Sequence, residues 1–116
     1  WIIDDNPTTT ANLKAHVTAA NADLSRIQFT PRTTHIEYKA KLRLADVFLD
    51  TFPYNCGSTS NDVIHAGVPL VTLQGRSMVS RMGLSILNEL ELNEYVTHDP
   101  QEYAGKVLEI YLKKNI

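Results

Sequence analysis

The sequence holds a single cysteine, Cys56, so it can form no internal disulfide and no multi-cysteine zinc site. It has no basic surplus either: 11 Lys and Arg stand against 13 Asp and Glu, a formal charge of -2. A dedicated nucleic-acid binder would show such a surplus or a basic stripe, so a nucleic-acid partner is disfavoured. No run approaches the roughly 18 apolar residues that a membrane helix needs, and no signal-peptide core is visible, which argues against a membrane partner. Internal repeats, low-complexity tracts, the Walker loop and the G-x-G-x-x-G fingerprint are all missing. His16 and His98 have no partners at metal-ligand spacing, so no metal site is expected. Disorder is excluded as well, because 43% hydrophobic residues give enough apolar material to offset chain entropy. One unpaired thiol fits a reducing, cytoplasmic setting.

What the 116 residues do contain is an alternation of short apolar runs and amphipathic stretches. Residues 1–4 read as a strand with no lead-in, as though the chain were cut from a longer protein. Asn6-Pro7 then gives a helix cap with proline at the first helical position, and the helix carries Leu13, Val17 and Ala20 at helical spacing to about Ala20. Ile27-Gln28-Phe29 is the second strand. Thr34-x-x-Glu37 is a capping-box pattern opening a helix with Ile36, Ala40 and Leu44 on one face.

Val47-Phe48-Leu49 is the third strand, and Thr59-x-x-Asp62 is a second capping-box match, on a helix ending near Gly67-Val68-Pro69. Leu70-Val71-Thr72-Leu73 makes a fully apolar fourth strand. Met78, Val79, Met82, Ile86 and Leu87 mark one amphipathic helix. Tyr95-Val96-Thr97 is extended, and Asp99-Pro100-Gln101-Glu102 caps a last helix with Tyr103, Val107 and Ile110 inward. Continuous apolar strands separated by helices predict an α/β fold, a Rossmann-like doubly wound parallel sheet in a single domain, 1–116.

Ligands of such sheets collect at the carboxyl ends of strands, beside helix starts. Loops 30–37 and 50–62 occupy that place. In the second, Gly57-Ser58-Thr59 stands at the mouth of a helix, where glycine lets a phosphate approach and free amide groups point outward. The hydroxyls of Ser58 and Thr59 would add donors, and Asp62 would suit a ribose hydroxyl pair. The plain alternative is that Thr59 and Asp62 cap the helix while Gly57 serves the turn. In the first loop, His35, Tyr38 and Lys41 share a helix face: a base-stacking ring with two polar neighbours, or an ordinary solvated face. His65 reads as a packed core or edge histidine, Asp4-Asp5 as a strand exit, and Arg81 as either an anion contact or a surface residue. Cys56 has no histidine nearby in sequence to make it a nucleophile.

The run Leu44-Ala45-Asp46-Val47-Phe48-Leu49-Asp50-Thr51, followed by the unbroken stretch from Gly57-Ser58-Thr59 to Leu70-Val71-Thr72, resembles the O-GlcNAc transferase family. That family includes bacterial proteins with tetratricopeptide repeats and the Spindly-like enzymes. Gly75-Arg76-Ser77, Ser80-Arg81 and Phe29-Thr30-Pro31 fit the same pattern, so the resemblance covers nearly the whole chain. It implies a GT-B glycosyltransferase of two Rossmann-like domains, with this chain as part of the C-terminal, UDP-sugar-binding one.

By the family pattern, Ser58 and Thr59 contact the diphosphate, Asp62 the ribose and Thr33 the uracil through backbone. His35 sits by the ribose, Tyr38 flanks the base, and Lys41 is the cationic position. The resemblance further implies inverting transfer of GlcNAc to Ser or Thr of an acceptor protein, without metal or other cofactor. The catalytic residues would lie in an N-terminal domain outside this chain, beside a tetratricopeptide region. The animal enzymes have histidine where this chain has Gly57, lysine at His35, histidine at Tyr38 and arginine at Lys41, so donor preference could differ. Two further readings stand beside this one: a non-catalytic interaction module, or a related GT-B enzyme using another hexose or an asparagine acceptor.

Overall fold

The computed structural model describes residues 1–4 and 6–114. Asp5, half of the expected Asp4-Asp5 strand exit, lies outside them. The chain is an α/β fold whose strands are all parallel, and its contacts gather into two compact units, Trp1–Tyr38 and Lys39–Ile116.

In the first unit, strand β1 (Ile2–Ile3) pairs with β2 (Phe29–Thr30), with Ile2 opposite Phe29. Helix α1 (Pro7–Ala19) crosses between them. Its start obeys the local signal: Asn6 Oδ1 accepts the amides of Thr8 at 2.9 Å and Thr9 at 3.3 Å, and proline at the first position has no donor to lose. Thr10, the one buried residue of α1, donates its hydroxyl to Asp4 Oδ1 at 2.7 Å, tying the helix back to the end of β1. Leu13 and Val17 are half-buried as their spacing predicts, but Ala20 is the exposed C-cap. The second strand is displaced from 27–29 because Asp23 caps a single 3-10 turn over Leu24–Arg26, which delays the extended backbone.

Helix α2 (His35–Leu42) begins as the capping pattern predicts, with Thr34 Oγ1 accepting the Glu37 amide at 3.3 Å. Its apolar face is a correction. Ile36 is 82% and Leu44 73% exposed, whereas Leu42 is 7% exposed. The helix stops at Leu42, so Leu44 never reaches the predicted stripe, and the inward side is the one that carries Tyr38 and Leu42.

In the second unit, β3 (Phe48–Leu49), β4 (Leu70–Leu73) and β5 (Val96–Thr97) form a three-stranded parallel sheet with β4 central. Phe48 stands opposite Leu70, and Thr72 opposite Val96. Successive strand residues point to opposite faces. Since Leu70, Val71 and Thr72 are all buried, both faces of β4 are covered. Helix α3 (Thr59–His65) makes the first crossover and α4 (Met82–Glu89) the second, and α5 (Pro100–Lys114) follows β5. All three pack on β4, and Val63 and Leu87 join it in the core. Burying each such Val or Leu side chain contributes roughly 1.5–3 kcal/mol, so this layer dominates the unit's stability. Among the described residues no helix is long and apolar enough to cross a membrane.

The single helix expected from Met78 to Leu87 is divided. A 3-10 turn, Met78–Ser80, precedes α4, and Met78 is exposed. Ser77 and Ser80 account for the break: the Ser80 hydroxyl accepts the Ser77 amide at 3.1 Å and donates to the Ser77 carbonyl at 2.9 Å, local bonds that compete with helix continuation.

Three helices end alike. After α3 the Gly67 amide donates to Ile64 O at 3.0 Å and Val68 N to Val63 O at 3.2 Å, the Schellman arrangement, with Gly67 at φ 74°. After α1 the left-handed residue is Asn21, and after α4 it is Glu91, at φ 58°. Asparagine tolerates that region; glutamate does not. Removing the Cβ at Glu91 relieves about 1–2 kcal/mol of strain, against roughly 0.4–1 kcal/mol lost to the greater freedom of unfolded glycine. Glu91→Gly is therefore expected to stabilise the protein by roughly 0.5–1 kcal/mol, read as a higher urea midpoint with unchanged slope. A lower midpoint would contradict the strain assignment.

Candidate functional site

The carboxyl ends of β3 and β4 open into two loops that lean on each other, residues 50–58 and 74–81. Both are held by polar side chains that are themselves buried. Asp50, the residue after β3, accepts the Cys56 amide on Oδ1 at 2.8 Å and the Thr72 hydroxyl on Oδ2 at 2.7 Å. Its backbone amide donates to Val71 O at 3.0 Å, extending the β3–β4 ladder, and its carbonyl accepts the Tyr103 hydroxyl at 2.9 Å. Four elements thus meet at one residue.

Asn55 is the second anchor, at 1% exposure. Its amide group donates to Thr51 O at 2.8 Å and accepts the Gly83 amide at 3.0 Å, while its backbone amide donates to Val79 O at 2.8 Å. Arg81, the residue before α4, supplies no side-chain cap, so Asn55 caps that helix from another loop. Gly83 must be glycine for space: a Cβ would sit 2.8 Å from Thr72 Cβ and against the Asp50 carboxylate.

These anchors deliver the start of α3. Ser60 is fully buried and its hydroxyl donates to the Cys56 carbonyl. Ser58 holds the N-cap position but makes no side-chain cap bond. The capping box expected of Thr59 and Asp62 does not form, because Thr59 is already the first residue of the helix. Among the described residues neither the Ser58 nor the Thr59 hydroxyl is committed to another group. Gly57 is not in the left-handed region, so its backbone does not require glycine; the methyl of Met82 fills the adjoining space, 3.1 Å from where a Cβ would stand. Asp62 lies half-buried one turn along.

The other expected site residues lie on the 30–37 loop and α2. Thr33 and His35 are exposed, and Tyr38 and Lys41 are half-buried. The His35 and Tyr38 rings, three residues apart, have centroids 6.3 Å apart and planes tilted by 31°, an aromatic pair. Arg81 is spent locally, its Nη1 donating to the Gly75 carbonyl at 2.9 Å. His65 is exposed in the last turn of α3, not packed as its apolar neighbours suggested. Among the described residues no group of three or more His, Cys, Asp or Glu side chains could hold a metal ion. The sequence gives no site role to Asp50, Asn55, Thr72, Gly83 or Tyr103, although it places Tyr103 inward on the last helix and Thr72 in the fourth strand. The one local signal for them is an aspartate directly after an apolar strand.

Nearly the whole described span has relatives. The model of glycosyl transferase family 41 matches residues 1–113. A Caenorhabditis elegans UDP-N-acetylglucosamine–peptide N-acetylglucosaminyltransferase is 34% identical over 94 residues, 81% of this chain and 8% of that protein. A probable enzyme of the same description, SPINDLY from Arabidopsis thaliana, is 37% identical over 61 residues, 53% of this chain and 7% of its own length. Among solved structures, a mutant of the Thermobaculum terrenum O-GlcNAc transferase superposes with a TM-score of 0.84 at 30% identity, over 90% of this chain and 20% of that one. The chain therefore spans under a tenth of these curated relatives.

Tyr103, whose hydroxyl donates to the Asp50 carbonyl, makes this junction sensitive to alkali. Burial, reinforced by Asp50 and then Cys56, pushes its phenol from the ordinary 10.0 up to about 12. A folded-state value raised above the unfolded one means that the neutral phenol's contribution is complete below pH 10 and fades as pH climbs toward 12. Urea midpoints are expected to fall across that window, and Tyr103→Phe to flatten the fall while lowering stability at neutral pH. An unchanged alkaline slope in Tyr103→Phe would show that another group titrates there.

Proposed function

The chain belongs to glycosyl transferase family 41, and on that ground we propose that it supplies the diphosphate side of a UDP-sugar pocket. The observation that carries this reading is the uncapped start of α3. Residues 57–59 present first-turn amides and two free hydroxyls just beyond the carboxyl end of β3, where open α/β sheets take their ligands. Ser58 and Thr59 bind the pyrophosphate, Gly57 allows its approach, and Asp62 accepts from the ribose. For Thr33, His35, Tyr38 and Lys41 the family pattern supports contacts to uracil, ribose, base face and phosphate charge.

In the whole protein the reaction is transfer of a sugar, GlcNAc by analogy with the named relatives, to a Ser or Thr hydroxyl of an acceptor protein. The acceptor oxygen attacks the anomeric carbon from the face opposite UDP, the carbon–oxygen bond to the diphosphate breaks, and UDP leaves with the electron pair. Configuration inverts, and the hydroxyl proton passes to a base that none of the residues assigned here provides. Negative charge grows on the departing phosphate, and amides and hydroxyls already aimed at it stabilise that charge without a metal ion.

Titration of the labelled chain with millimolar UDP is expected to shift the amides of 57–59 and Asp62. The double substitution of Ser58 and Thr59 by Ala should weaken binding about tenfold or more, since a hydrogen bond to a charged group contributes about 1.5–3 kcal/mol. Shifts confined to other parts of the chain would overturn the assignment.

A further inference from the structure

We propose that Asp50 is the positioning residue of the diphosphate turn, acting through the Cys56 amide to fix the direction in which the amides of 57–59 face. The inference rests on the donor-site reading above and adds to it a residue that would not touch the ligand. Three observations support it. Asp50 is 4% exposed, yet the described protein bonds to its carboxylate come from one amide in the turn and one hydroxyl on β4. The Cys56 amide immediately precedes Gly57, so its direction sets the peptide plane from which the turn departs. The Cys56 carbonyl, on the other side of the same residue, receives the buried Ser60 hydroxyl, so the turn is held fore and aft.

The arrangement is stiff because each partner is itself fixed. Thr72 is fully buried on the central strand, and Gly83 closes the far side of the carboxylate so tightly that no Cβ fits. A group that must meet a developing charge gains most from such preorganisation, since a displacement of about 1 Å costs rate and affinity steeply. The carboxylate is also the wrong charge to bind a diphosphate itself. Its value to the site lies in geometry, so the uncharged amide of the same shape should hold the turn as well: its oxygen accepts the Cys56 amide, and the Thr72 hydroxyl turns to accept from its nitrogen.

That consequence makes the test. Asp50→Asn keeps an oxygen for the Cys56 amide, whereas Asp50→Ala removes the acceptor. In labelled chain, Asp50→Ala should move the Cys56 amide proton upfield, speed hydrogen exchange at 57–59 and weaken UDP binding about tenfold or more. Asp50→Asn should hold the Cys56 resonance near its original position and bind UDP within about twofold of the unaltered chain, a rescue that a charge-based role would not give; a role in stability alone would instead leave UDP binding by the folded Asp50→Ala unchanged. Should Asp50→Ala fail to fold, Asp50→Asn alone decides. An intact Cys56 amide with UDP binding lost as severely as in the double Ser58 and Thr59 substitution overturns the positioning role. So does a folded Asp50→Ala that binds UDP like the original. If the unaltered chain shows no UDP shifts at 57–59, the donor-site reading itself fails and this proposal falls with it.

Discussion

A carboxylate buried at the end of a strand must be answered by donors, and the sheet unit is arranged around answering Asp50. Leaving such a group unpaired would cost several kcal/mol, more than most single contacts return. Its donors come from distant places: Thr72 22 residues on, Cys56 in the loop itself, and Tyr103 53 residues on, reaching the main-chain carbonyl. Satisfying one residue therefore fixes the β3–β4 register, folds the loop back over the sheet edge and docks α5. The glycine at 83 belongs to the same constraint, since α4 can approach only where no side chain intrudes.

The helix starts divide along the same line. Asn6, Thr34 and Asp99 each cap their own helix with a side-chain oxygen, as local chemistry dictates. The two helices that begin at the open edge of the β3–β4 pair do otherwise. α4 borrows its cap from Asn55 across 28 residues, and α3 makes no side-chain cap bond at Ser58. A protein that satisfies its helix ends elsewhere and leaves this one uncommitted keeps donors where a ligand of α/β sheets would arrive. The departure from local rule coincides with the place of proposed function, as expected when function competes with stability.

That contrast also explains what could be read beforehand. Caps and stops depend on residues within four or five positions, so Asn6-Pro7, Thr34, Asp99 and Gly67 announce their helices correctly. The strand β4 is legible throughout because it is buried on both faces and needs no alternation. Thr59-x-x-Asp62 carries the same letters as a capping box, but Ser60 pulls the chain into helix one residue early through the Cys56 carbonyl, and the pattern goes unused. Leu44 misleads because periodicity assumes a helix that continues, and α2 ends at Leu42; Ile36 lies within α2 but off the inward side that carries Tyr38 and Leu42. The Asp50 and Asn55 networks join residues tens of positions apart, and no window of hydrophobic spacing encodes a contact of that range.

The family resemblance and the physics meet at different residues. Resemblance points to those that would touch a donor: Ser58, Thr59, Asp62 and the 33–41 segment. Behind residues 57–62 the structure adds Asp50, Asn55 and Gly83, which are committed to protein contacts. Those inner residues are the more demanding, because exchange of Tyr38 for another ring or Lys41 for arginine keeps stacking and charge in outline. Exchange of Gly83 for any larger residue, or of Asn55 for an apolar one, leaves a clash or an unmatched amide at the sheet edge. On the proposed donor reading, variation in donor preference is expected at the outer residues, whereas the loops held by Asp50 and Asn55 tolerate little change.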